Sequence, residues 1–288
     1  MATVLHDTAI AASNNGSNIN VYAQQRDGSV VEYTYRPDWS PDWEKSDFLP
    51  VAAGEAKLFT PLAANVERKA TGPERHVYFL DKENRVRDKV LKDNGWVQGG
   101  LYSLTVDAAP FSRLNMYYPK LYYQTAEEYD IKCVEKDTNG WTTSSFAVAQ
   151  WDEVLLGTGI AALADSVFHQ NDTLAIEQKG GVTGQSFSLT ASPHTSLSVL
   201  GDDTYLSILY TTSQSWLQEL RITDSGSTTT KITTVAPRSD IAAVRIKSPD
   251  DDPDVIQVFC QDGRGDGISA YRYIAASGWK LKTQNLCA

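Results

Sequence analysis

Methionine occurs only twice, cysteine three times and histidine four times in 288 residues. Three cysteines (Cys133, Cys260, Cys287) are too few for a disulfide scaffold and fit a reducing compartment; whether Cys260 and Cys287 pair is open at this level. The histidines (His6, His76, His169, His194) are widely separated, with no metal-ligand spacing, so no metal is expected. No apolar run reaches 18 residues, which excludes a spanning helix. The first residues, Met1-Ala2-Thr3-Val4-Leu5-His6-Asp7, have neither a basic n-region nor an apolar h-region, so no signal peptide and a cytoplasmic location are expected. Positive charge is also short, 26 Lys and Arg against 36 Asp and Glu. A net charge of −10 argues against nucleic acid and anionic membrane as partners. Nucleophile-elbow, P-loop and dinucleotide motifs are missing, and no cofactor is expected.

What is abundant points to a rigid all-β body. Hydrophobic residues make up 41% and charged residues 22%, with seven tryptophans, enough to bury a core. The stretch Thr60–Trp96 reads as four short strands: Pro61–Val66, Arg75–Leu80, Arg85–Leu91 and Trp96-Val97, with turn residues between them. Its parts recur. A small-residue strand returns as Ile10-Ala11-Ala12, Leu62-Ala63-Ala64, Asp107-Ala108-Ala109, Ile160-Ala161-Ala162 and Ile241-Ala242-Ala243. An aromatic or apolar strand follows each one, the fourth at Leu174-Ala175-Ile176, and Ser196–Val199 with Leu206–Tyr210 adds a sixth unit. Dividing 288 residues by six leaves 48 each, the span of a four-stranded propeller blade. The expected fold is therefore one all-β, six-bladed propeller domain over 1–288, about four antiparallel strands per blade, with the fourth blade irregular. The alanine pairs would line the crowded axis. Gly-Trp pairs at Trp96, Trp141 and Trp279 would wedge between neighbouring blades. The acidic run 250–254 reads as a solvated loop.

The second strands, with Val21-Tyr22, Val77-Tyr78, Leu121-Tyr122-Tyr123-Gln124 and Val258-Phe259-Cys260-Gln261, together with the Gly-Trp pairs, resemble the fungal fucose-specific lectins. That resemblance implies sugar sites between blades, each with an Arg just before Val-Tyr, a Glu on the third strand and an aromatic from the next blade. The pattern is eroded here. The Arg position reads Asn20, His76, Lys120, Leu174, Ser207 and Gln257. The Glu position reads Glu32, Asp88, Cys133, no alignable residue, Glu219 and Ala270. No blade holds both, and Asn20/Glu32 and His76/Asp88 are the nearest survivors. Losing the planar guanidinium fork is expected to weaken each site severely.

The chain is also similar to cofactor-free hetero-Diels–Alderases of fungal tropolone-sesquiterpenoid pathways. That likeness implies a single apolar pocket in which an apolar polyene meets a tropolone-type electrophile, positioned and polarised by the protein. It is the favoured expectation from the sequence, with a fucose- or glycan-binding lectin of altered specificity as the alternative; a homodimer is left open. Polar residues near the small inner segments would then converge on the axis. Arg113 and Arg245 are the candidate carbonyl donors, and Asn65, Arg68, Phe111, Tyr118 and His169 the candidate substrate contacts. The insert Trp39–Trp43 is a candidate lid or aromatic wall, with Trp39 and Trp43 as its contact residues. The plainer alternative makes the arginines ion-pair residues, His169 structural and the insert a surface loop.

Overall fold

The structure is a computed structural model and describes residues 4–287 apart from 37–39, 71, 94, 181–184, 190, 247–254, 265–266 and 276. Trp39 and the acidic run thus lie outside the described residues. Among those described, every regular strand belongs to one of six four-stranded sheets. The first runs β1 (Ile10–Asn14), β2 (Ile19–Gln24), β3 (Val30–Arg36), β4 (Ser40–Lys45). The second is β5 (Ala63–Lys69), β6 (Gly72–Leu80), β7 (Val86–Lys92), β8 (Gly95–Gln98). The third is β9 (Leu114–Tyr117), β10 (Lys120–Gln124), β11 (Ile131–Asp137), β12 (Gly140–Thr143). The fourth is β13 (Ala161–Leu163), β14 (Ser166–Gln170), β15 (Ile176–Gly180), β16 (Gln185–Phe187). The fifth is β17 (Leu197–Gly201), β18 (Tyr205–Thr211), β19 (Trp216–Thr223), β20 (Gly226–Thr234). The sixth is β21 (Ala242–Ile246), β22 (Val255–Cys260), β23 (Ser269–Ile274), β24 (Gly278–Thr283).

Each sheet is an antiparallel meander, and the first strands touch one another in a ring that β1 and β21 close. This is a six-bladed propeller. The alanines face the shared centre: Ala11, Ala63, Ala162 and Ala242 line a narrow axial cavity of about 210 Å³. Between blades the core is apolar, as where Val21, Tyr33 and Tyr35 of the first sheet meet Val244, Phe259 and Ala270 of the sixth. The Gly-Trp pairs also have a backbone reason. Gly95, Gly140 and Gly278 sit at φ +122°, +127° and +67° in the hairpin before the fourth strand, a region glycine enters without strain.

One sixfold device escapes the sequence pattern. Before each inner strand a buried hydroxyl accepts a hydrogen bond from the backbone N–H near the end of that blade's second strand. The pairs are Gln24 to Thr8 (2.8 Å), Leu80 to Thr60 (2.8 Å), Gln124 to Ser112 (2.9 Å), Gln170 to Thr158 (2.7 Å), Thr211 to Thr195 (2.7 Å) and Gln261 to Ser239 (2.8 Å). Ser and Thr alternate freely because only the oxygen matters.

Two strand placements differ from the sequence reading. In the third blade Ala108-Ala109 precedes the inner strand: Ala108 only bridges to Thr125, and the strand itself is Leu114–Tyr117. In the fourth blade the second strand is Ser166–Gln170, not the Leu174 segment. Leu174 has φ +66°, which places it in the turn leading to β15. The Arg and Glu positions of that blade are consequently Ser166 and Gln178, hydrogen-bonded at 2.9 Å. The three cysteines are free, so Cys260 and Cys287 do not pair.

Candidate functional site

Each crevice between blades is walled on one side by the second and third strands of a sheet and on the other by its successor. Alternation on β2 and β3 turns Asn20, Tyr22, Glu32 and Thr34 toward the second sheet, with Tyr22 opposite Glu32 and Asn20 opposite Thr34. Glu32 is only 2% exposed. Its Oε1 accepts from Asn20 Nδ2 (3.0 Å), the Tyr22 hydroxyl (2.9 Å) and Arg75 Nη1 (2.6 Å), the last reaching across from β6. Burial raises the Glu32 pKa, and Arg75 opposes that shift. Over this cluster Trp96 of β8 stands edge-on to Tyr22, ring centres 6.1 Å apart. Trp96 Nε1 and Asn20 Oδ1 are buried with no hydrogen-bond partner among the described residues. An orphaned donor and an orphaned acceptor beside a carboxylate and a guanidinium form a polar set that is unfinished without a ligand or water.

The second crevice gathers residues picked out from the sequence on two separate grounds. His76 Nδ1 lies 3.9 Å from Asp88, while its Nε2 lies 3.4 Å from Glu67. Asn65 accepts from the Tyr78 hydroxyl at 3.0 Å, and Tyr118 donates to Glu67 at 3.2 Å. Asp88 is engaged inward: it accepts from Leu101 N–H at 2.9 Å, and any side chain at Gly99 would overlap its carboxylate. Glu67, Glu74 and His76 present ligand atoms within 4.8 Å of one another. Lys136 occupies Glu67 at 2.6 Å, however, and Lys69 and Lys92 both hold Glu74, so ammonium groups already fill the place of a cation.

The crevice between the fifth and sixth sheets has the same ingredients, with both carboxylate oxygens engaged and Arg221 Nε and the Tyr205 hydroxyl buried without a hydrogen-bond partner. Glu219 accepts from Ser207 Oγ at 2.7 Å and from Trp279 Nε1 of the next blade at 2.8 Å. Arg221 lies 3.4 Å from the same carboxylate and is stacked between Tyr205 (4.6 Å) and Tyr273 (4.2 Å). Arg245 is bound to Asp202 and the Gly201 carbonyl, which makes it an ion-pair residue of this crevice.

The axial candidates divide between two ends. Segments leading into all six inner strands surround a cavity of about 750 Å³, lined by Phe59, Phe111, Arg113, His194 and Arg238 among others. Arg113 is shared with the narrow axial cavity and lies 3.8 Å from Asp240. Burial, with Arg113 next in effect, lowers the pKa of nearby Lys57 to about 8. Arg245, Asn65 and Arg68 do not join Arg113 there. They lie within or toward the far end of their inner strands, whereas Arg113 precedes its strand, so the expected convergence fails on strand direction. Arg68 lies instead by the β1–β2 turn, near Gly16. His169 is wholly buried on the second strand, Nδ1 against the Gln170 carbonyl, its pKa lowered by burial. Trp43 is not a lid: it pairs with Tyr35 inside the first sheet and meets Phe259 edge-on at 5.6 Å, walling the crevice between the sixth and first blades.

Arg75 was missed because the sequence was read one blade at a time, and Arg221 because the arginine was sought only on the second strand. Arg75 belongs to the blade after Glu32, one residue before the expected Arg position. Arg221 follows Glu219 by two residues, a spacing that puts both on one face of a strand.

The fold and its crevices define a class, the six-bladed meander propeller with carboxylate and indole groups facing each other between blades. The profile of the fungal fucose-specific lectins matches residues 4–162, and the chain belongs to that family. It is 32% identical over 112 residues to a fucose-specific lectin of Aspergillus oryzae, covering 38% of this chain and 34% of that protein. It is 30% identical over 164 residues to the fucose-specific lectin of Aleuria aurantia, covering 53% and 50%. The matched stretches thus span a third to a half of these relatives. The solved Aleuria aurantia lectin, described as a six-bladed β-propeller, superposes with a TM-score of 0.79 at 23% identity, covering 98% of this chain and 96% of that one. AofleA of Arthrobotrys oligospora gives 0.79 at 18%, covering 98% and 86%. At such identity the superpositions speak for the fold alone.

Proposed function

We propose that the chain is a carbohydrate-binding propeller whose grip on a neutral deoxy sugar of the fucose type is concentrated in the crevice between the first and second blades. The observation that carries this reading is Glu32, with Arg75 at 2.6 Å from the facing blade and Trp96 above it. A carboxylate accepts from ring hydroxyls and a guanidinium donates to them, both as charge-assisted bonds. An indole face covers the apolar edge of the sugar, and its orphaned N–H takes one further oxygen. The guanidinium now comes from the opposite wall, so sugar orientation would differ from a grip in which both charges share one blade. Fewer working crevices also mean lower avidity, because each lost crevice removes a simultaneous contact with a multivalent glycan. A glycan array tests it: binding to fucosylated glycans, competed away by free fucose and lost in Glu32→Gln, is expected. No glycan binding would sink it.

A second reading has its own observation, a cavity of about 750 Å³ with Phe59 and Phe111 on its wall and Arg113 where it meets the narrow axial cavity. A cavity of that size accommodates two apolar partners. In a hetero-Diels–Alder addition one carbon–carbon and one carbon–oxygen bond form at the expense of π bonds, and nothing leaves. Positioning plus a guanidinium on a carbonyl oxygen supplies what such a step needs. Incubation with a tropolone quinone-methide precursor and humulenol is the test. Product ratios shifted from the no-protein control and restored by Arg113→Gln are expected; unchanged ratios would remove this reading.

A further inference from the structure

The crevice between the sixth and first blades carries a charge that the other two arginine-bearing crevices do not leave bare. Its carboxylate position is Ala270, opposite Phe259, and Arg272 follows two residues later, opposite Gln257. Arg272 therefore stands to Ala270 as Arg221 stands to Glu219. In the fifth blade that spacing gives a guanidinium at 3.4 Å from a carboxylate; here the carboxylate has been deleted. No carboxylate lies within ion-pair distance of Arg272 among the described residues, and its Nε is buried without a hydrogen-bond partner. Gln257 beside it is 1% exposed, and its Oε1 is likewise unpartnered. Across the crevice Trp43 and Tyr35 form an aromatic wall, ring centres 5.3 Å apart, with Trp43 edge-on to Phe259.

A half-buried guanidinium without its anion is electrostatically unfinished. Shortening Glu to Ala also removes the side chain that would have occupied the acceptor's place. What completes this set is an anionic group on Arg272, attached to a ring that lies on Trp43 and offers a hydroxyl to Gln257. We propose that this crevice binds acidic sugars, in which a carboxylate or sulfate replaces the missing glutamate. The proposal rests on the reading that the crevices between blades bind sugars, and it assigns to this one a different substrate class.

Ligand-detected NMR on the full chain tests it, with D-glucuronic acid and galactose 6-sulfate as separate probes and methyl α-L-fucoside titrated in parallel. The expected result is binding of at least one acidic sugar, with affinity reduced about tenfold or more by Arg272→Gln. Ala270→Glu is expected to do the same by restoring an internal partner for Arg272, and thermal melting of both variants monitors the fold. Which probe binds tells carboxylate from sulfate. Acidic-sugar binding without fucoside binding would support this crevice and count against the first. Fucoside binding without either acidic sugar, or acidic-sugar binding that survives both folded variants, overturns the proposal.

Discussion

The crevices around Glu32 and Glu219 start from the same plan and end differently. Both bury a third-strand glutamate at 2% exposure, and both draw on an arginine and on a tryptophan from the next blade. At Glu219 the indole N–H and the serine hydroxyl each take one carboxylate oxygen and two tyrosines stack on the guanidinium, so both oxygens and the indole N–H are engaged, while Arg221 Nε and the Tyr205 hydroxyl keep no hydrogen-bond partner. At Glu32 one oxygen takes all three donors, and the Trp96 indole N–H is left over. On the proposed reading, the contrast separates a binding site from a structural clasp made of the same residue types. What distinguishes them is the hydrogen-bond inventory, not composition.

The largest effects should come from removing each carboxylate. Glu32→Gln abolishes sugar binding with little loss of stability, because burial already disfavours the charged carboxylate. Glu219→Gln should cost about 3 kcal/mol of stability, with sugar binding retained. Chemical denaturation with parallel sugar titration checks both, and loss of binding in the second variant would erase the distinction between site and clasp. The tryptophans sharpen it. Trp279→Phe strands a Glu219 oxygen and should lower stability by about 2 kcal/mol. Trp96→Phe removes a donor that had no partner, so stability should change less than in Trp279→Phe while sugar affinity falls. Equal melting shifts would mean that both indoles are structural. A smaller effect applies to the latches common to all blades: Thr60→Val should cost about 1–2 kcal/mol, because the buried Leu80 N–H loses its acceptor.

The pH response offers a finer comparison, because the signs oppose. Burial raises the Glu32 pKa above 4.5, so in the folded chain it holds its proton longer than in the unfolded one. Its contribution to stability therefore falls as pH rises from 4.5 through its folded value, and Glu32→Gln should flatten that slope. Glu74 goes the other way: burial raises its pKa, but the hydrogen bonds from Lys69 and Lys92 outweigh burial and bring it to about 2. Its stabilisation is present above 4.5 and lost as pH falls toward about 2, so Glu74→Gln should soften acid unfolding. Denaturation midpoints across that window, measured for both variants, check the two signs.

The fold was legible because four of the six inner strands place an alanine on the axial cavity, at Ala11, Ala63, Ala162 and Ala242. Alanine pairs at Ala11, Ala63 and Ala162 carried that signal. It misled at Ala108-Ala109, where small residues serve the turn before the strand, and at Leu174, where an apolar triplet occupies a turn and the start of the third strand. Of the site, Glu32 and Asn20 were legible because they keep the lectin-like positions within one blade. Arg75 was not, since a grip assembled from two blades leaves no fixed spacing in either. Arg113 and Arg245 looked equivalent as residues beside small inner segments, yet one precedes its strand and the other lies inside it, which puts them in different environments.

Crystals grown with methyl α-L-fucoside measure the central claim most directly. One sugar per chain, between the first and second blades with its hydroxyls on Glu32 and Arg75 and an oxygen on Trp96 Nε1, is the expected result, and Glu32→Gln crystals should be empty there. Fucoside seated in the Glu219 crevice with the Glu32 crevice vacant would contradict the account.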